Sequence, residues 1–289
     1  MAKRTALDDK LAALNRLRDD PRSPEAPGEL CQTIRGRTSV LVARAAVIAR
    51  EAGLRDLAGD LAAAFDRFLN EPAKNDRSCL AKRALAETLD VLEWSEAETF
   101  LRGIRHVQLE GTFGPPIDTA AVLRGLCAQA LVRMGYRDAL REATGLLADR
   151  WVDARLGAAR AAGMAGTDAA ELLLRLKIMA GDQEPAVLGE CFLGLIKSWP
   201  HRSLEFVARY LSASAWEPNP GATVACEDTE AARELAAVAL AESRLPEAAE
   251  ILRKRYENSV DSASKKLLLL PLALTRRDEA FDFVLSRIR

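Results

Sequence analysis

The sequence predicts an all-α protein, a right-handed α-α superhelix of about seven helix pairs with a capping helix at each end. Two observations carry the prediction, the composition and an internal repeat. Aromatics are only 5% of the 289 residues, while Ala, Leu, Glu and Arg are abundant. These are strong helix formers, and β-branched residues are sparse. The length exceeds a usual single core and suits an elongated array.

The repeat is visible in two segments. Leu123 to Gly135 is followed by Ala139, and Ala154 to Gly166 is followed by Ala170. In each, a basic residue (Arg124, Arg155) precedes the Gly by eleven positions. The same frame fits Val42/Gly53, Lys82/Glu93, Leu188/Trp199, Arg233/Arg244 and Lys265/Arg276. Successive anchors are separated by 40, 42, 31, 33, 45 and 32 residues. Periods of this size suit a helix, a turn and a second helix.

The elements follow in order. A leading helix is expected near 6–19. Pairs are expected near 27–35/39–52, 55–69/78–92, 95–105/119–134, 137–148/151–163, 167–179/184–197, 201–213/228–243 and 246–257/261–275, with a closing helix at 278–288. The anchor helices are amphipathic, as Val122, Leu123, Leu126, Cys127, Ala130, Leu131 and Met134 show. That spacing makes one buried stripe, which a neighbouring pair must cover. Gly53, Gly135 and Gly166 stand where left-handed helix ends belong. Asp118, Asp149 and Asp182 stand where N-caps belong. The domain reading is a cap and loop over 1–26 and a repeat array over 27–289.

An acidic residue lies six positions before a basic one at Asp76/Lys82, Asp118/Arg124, Asp149/Arg155 and Glu227/Arg233. On this mark the chain resembles the HEAT-repeat family, including the HEAT-like repeats of bacterial phycobiliprotein lyases. The resemblance covers about 27–289. It implies an α solenoid in which these eight residues form a structural ladder between adjacent repeats. Gly36/Val42, Asp182/Leu188 and Ser259/Lys265 depart from the pattern and are expected to interrupt it.

The three long spacings place insertions at 70–77, 107–117 and 212–226, each between the two helices of a pair. Equivalent turns of a stacked array share an edge, so these loops are expected on one edge. Four residues there are binding candidates, His106, Gln108, Phe113 and Trp216. The competing reading is that Phe113 and Trp216 pin their own loops.

Chemistry is otherwise sparse. Five cysteines have no CxxC pair, two histidines lie in different repeats, and no HExxH, GxSxG or P-loop occurs. No catalytic residue, metal or cofactor is expected. Net charge is −1, with +4 over 1–50, −9 over 51–252 and +4 over 253–289. That argues against a general nucleic-acid binder. No signal sequence or bilayer-spanning run is read, so a cytoplasmic, membrane-free protein is expected. The function expected is a non-catalytic scaffold binding an unknown protein or peptide. The alternative is a helical-repeat DNA glycosylase, for which Trp151 and Asp153 are the right residue types. A bilin-lyase-like chaperone is a third.

Overall fold

A computed structural model describes residues 2–21, 23–71, 73–216 and 224–288. Sixteen α-helices occur among them, the number the sequence pattern gives. The chain divides into two compact units, Met1–Glu142 and Ala143–Arg289. The division falls inside a helix.

In the first unit α1 (Ala2–Asp19) packs on the second helix of the first pair, α2 (Ala26–Ile34) and α3 (Ser39–Ala52). Next come α4 (Ala58–Asn70) with α5 (Leu80–Val91), and α6 (Ala97–Ile104) with α7 (Ala121–Arg133). Second helices stack directly, α3 on α5 and α5 on α7. Their facing sides are alanines and leucines such as Ala45, Ala49, Leu85, Leu89 and Leu123, all buried. Small residues let the backbones approach, and the apolar stripes leave water together.

The second unit repeats the plan. After α8 (Ala139–Leu147), which straddles the division, come α9 (Val152–Ala165), α10 (Asp168–Ala180), α11 (Pro185–Ser198) and α12 (Pro200–Arg209). The unit ends with α13 (Thr229–Glu242), α14 (Pro246–Asn258), α15 (Ser262–Leu274) and α16 (Asp278–Ile288). Helices α9, α11, α13 and α15 form its continuous stack. Gly163 and Gly194 set the closest approach. A Cβ on Gly163 would stand 2.8 Å from the Gly194 Cα.

The frame position eleven residues after each anchor has one structural meaning. Gly53, Glu93, Gly135, Gly166, Arg244 and Arg276 all lie in the left-handed region, with φ between +54° and +72°. The chain reverses there, and the following amide bonds back into the helix, as Leu54 to Ala49 O (3.0 Å) and Trp94 to Leu89 O (2.9 Å) do. Trp199 is the exception, at φ −138°. Pro200 follows it, and a proline ring pushes its predecessor to extended backbone. Three of the six carry side chains that pay for the left-handed turn. Glu93→Gly, Arg244→Gly and Arg276→Gly should each raise stability by about 0.5–1 kcal/mol in urea unfolding. The exposed Glu93–Arg55 pair lost in the first offsets little.

The expected aspartate caps are corrected. Trp151 and Glu184 are the N-caps of α9 and α11, and Ala120 that of α7. Asp118, Asp149 and Asp182 stand two residues earlier. Each accepts the amide two residues on, from Ala120 (3.0 Å), Trp151 (2.8 Å) and Glu184 (2.9 Å). The aspartates thus lock the turn that enters the helix. Side-chain caps come from Thr167, Asp228 and Asp261.

Candidate functional site

The first two insertions fold together. Residues 73–79 form two short 3-10 turns, Ala73–Asn75 and Arg77–Cys79. Residues 107–118, read from sequence as a loop, form a β-hairpin of β1 (Leu109–Glu110) and β2 (Ile117–Asp118), with Leu109 opposite Asp118. The expectation of a common edge applies to this pair. Residues 217–223 of the third insertion lie outside the described residues.

Buried charge holds the two insertions. Ser78 and Cys79 are both left-handed, φ 56° and 51°, and turn the chain back on itself. The Asp76 carboxylate then accepts the amides of Ala81 (2.8 Å) and Lys82 (3.1 Å), two otherwise unpaired donors of α5. The Lys82 ammonium donates to Asp76 (3.2 Å) and to Gln108 Oε1 (2.8 Å), and both charged residues are fully buried. Gln108 Nε2 donates in turn to the Asp76 carbonyl and to Glu110, each at 2.8 Å. Glu110 also takes the Ser78 amide and the Thr119 hydroxyl, each at 2.7 Å. Burial alone would raise the Glu110 carboxyl. Thr119, Gln108 and Ser78 outweigh it and hold the group below its ordinary value.

Asp118 closes the hairpin. It accepts the amides of Gln108 (2.9 Å) and Ala120 and pairs with Arg124 at 2.6 Å. Burial raises its carboxyl, and these donors more than reverse that. Arg124 also donates to the His106 carbonyl (3.0 Å). His106 itself is half-buried, and its Nε2 has no hydrogen-bond partner. Burial, then the Lys82 charge, lower its pKa, so the ring is held neutral.

Of the four binding candidates, Gln108 and Trp216 are engaged within the fold. Gln108 is 4% exposed and is a structural bridge, because Lys82 needs a second acceptor where water is excluded. Trp216 donates from its ring nitrogen to Tyr210 O (3.0 Å) and packs edge-on against Phe192 and Tyr210. It pins its own loop. Phe113 does not. It stands fully exposed at the hairpin tip, where the Thr112 hydroxyl ties Gly114 N (3.1 Å) to Pro115 O (3.0 Å). Val107 and Leu109, 60% exposed each, and Ile117 add apolar surface. Sequence missed these three, because strand alternation over two residues leaves no pattern.

The ladder residues of the second unit take different partners. Arg155 grips Asp182 in the next repeat with two bonds, 2.8 and 2.9 Å, and donates to the Asp149 carbonyl (3.0 Å). Asp182, expected to interrupt the ladder, is therefore part of it. Arg233 donates to Leu211 O (3.1 Å) and Ser264 Oγ (2.9 Å). Glu227 is exposed, and Asp228, one residue on, takes the Ala231 amide at 2.9 Å. The register slips by one because the backbone of 224–227 runs along 180–183, Val224 to Ala180 O (3.2 Å) and Glu227 to Gln183 O (3.0 Å).

Other chemistry is dispersed. Burial raises the thiols of Cys79, Cys127 and Cys191, Cys79 to about 11. Among the described residues no group of three or more His, Cys, Asp or Glu could hold a metal. Trp151 lies under the Arg150 guanidinium at 5.4 Å, and Asp153 is exposed. No described helix is long and apolar enough to cross a membrane.

No family model matches the chain, and no curated protein matches it in sequence. Among solved structures it is similar to human deoxyhypusine hydroxylase in complex with glycerol. Identity is 15% and the TM-score 0.36, over 93% of this chain and 91% of that one. The expectation that the chain is not an enzyme is corrected here. The similar structure is that of an enzyme, and a fold by itself does not exclude catalysis.

Proposed function

We propose that this chain recognises a protein partner through the insertion edge of its first unit, with Phe113 inserted into an apolar pocket of that partner. One observation carries the reading, a fully exposed Phe on a braced hairpin tip. Water around apolar side chains is costly, and a contiguous exposed apolar patch marks a contact surface. The buried network beneath keeps the hairpin in one conformation before binding, so little entropy is lost on docking. Exposed Val107, Leu109 and Ile117 widen the surface around the anchor.

The test is a photo-crosslinking phenylalanine analogue at position 113, introduced in cells of the source organism. A single dominant adduct, identified by mass spectrometry, is expected. Phe113→Ser should weaken binding of that partner by roughly 2 kcal/mol or more, about thirtyfold in Kd. Unchanged affinity, or scattered adducts only, would overturn the reading. An adduct to a second copy, with a concentration-dependent dimer lost in Phe113→Ser, would replace a foreign partner by self-association.

A further inference from the structure

The second unit holds a separate cavity of about 580 Å³ beside α10. Small-molecule sites commonly measure about 300–1,000 Å³ and combine apolar lining with a few fixed polar groups. Leu173, Leu176 and Val224 supply apolar lining here, and Leu176 is 59% exposed to it and to solvent. Val224 is fixed in place by its bond to Ala180 O and by Gly181, where a Cβ would come 2.0 Å from the Val224 carbonyl.

The polar lining is unbalanced. Arg150, Arg155 and Lys177 face two carboxylates, Asp149 and Asp182, which leaves one positive charge. Arg155 commits four of its five N–H donors to Asp182 and to the carbonyls of Asp149 and Arg150. Asp182 is saturated by Arg155, Lys177 and the Glu184 amide. Lys177 is not. Its side chain is 15% exposed, and its ammonium pairs with Asp182 at 2.8 Å and with no other partner among the described residues. An ammonium has three donors, so two remain for a ligand. A monoanion would neutralise the cavity and satisfy them, and an apolar body would cover the leucines.

From this geometry we propose that the cavity binds a carboxylate carrying an apolar group, with its oxygens on Lys177 and its apolar part against Leu173, Leu176 and Val224. Two sources share that chemistry, a free aliphatic acid and the C-terminal carboxylate of a chain ending in apolar residues. The site is independent of the Phe113 edge.

The experiment is a proton–nitrogen NMR titration of the full chain with sodium octanoate, 1-octanol and the peptide acetyl-Gly-Leu-Leu as free acid and as amide. Octanoate is expected to shift the amides of Lys177, Gly181 and Val224 and to bind at least tenfold tighter than octanol. Lys177→Gln should weaken octanoate at least tenfold. Leu176→Gln, at an exposed position, should do the same with an unchanged melting temperature. Tighter binding of the peptide acid than of octanoate, with the amide inert, would name a chain terminus as the source. The reverse order would name a free acid. Equal binding of octanol and octanoate, no shift at those amides, or full affinity in both variants would overturn the proposal.

Discussion

Lys82→Met is expected to cost about 3–5 kcal/mol of stability, read as the loss in urea unfolding followed by circular dichroism. The substitution keeps the length and packing of the side chain and removes only the charge and its donors. Asp76 then stays fully buried as a carboxylate with its cationic partner gone, and Gln108 Oε1 loses its donor. Desolvation of an unpaired charge dominates every smaller term here. The cost should not be additive. Asp76→Asn combined with Lys82→Met removes both charges, and the pair should recover at least 1 kcal/mol relative to the sum of the single changes. A cost below about 1 kcal/mol for Lys82→Met would mean that the network is solvated and not a rigid base for the hairpin.

Gly163→Leu should unfold the second unit or cost more than about 4 kcal/mol, with Gly163→Ala at about 1–3 kcal/mol. The Gly163 Cβ position meets the Gly194 backbone, which has no flexible end to move aside. Ser198 Oγ, donating to the Gly163 carbonyl at 2.6 Å, resists separation of α9 and α11. Gly145 provides the control. It is also inside a helix, but nothing lies within 4 Å of its Cβ position. Gly145→Ala should therefore stabilise by about 0.5–1 kcal/mol through helix propensity alone. Equal effects at Gly163 and Gly145 would refute the close backbone contact.

Helix number, helix order and the left-handed turns were legible in the sequence because each follows from local rules. An apolar stripe at period 3.6 needs only its own helix, and the reversal eleven residues past an anchor needs only the hydrogen bonds of that helix end. Glu93, Arg244 and Arg276 share that frame position, but only the three glycines marked a left-handed turn in the sequence. The acid–base spacing of six likewise located Asp76/Lys82 and Asp118/Arg124, since both partners sit on one short stretch of chain.

The candidate sites depended on tertiary structure. Gln108 and Phe113 are five residues apart in one insertion, yet one is sealed under Lys82 and the other stands in solvent. Nothing local separates them, because the difference is made by Asp76 and Ser78, some thirty residues earlier in the chain. Asp182 joins Arg155 only when one repeat stacks on the next, and Glu227 yields to Asp228 only because 224–227 lies along 180–183. Sequence alone determined the helical repeat of this protein, through periodicity and turn chemistry. Tertiary packing alone decided which polar residues are structure and which surfaces remain open, because burial depends on what comes to lie against a residue from far along the chain.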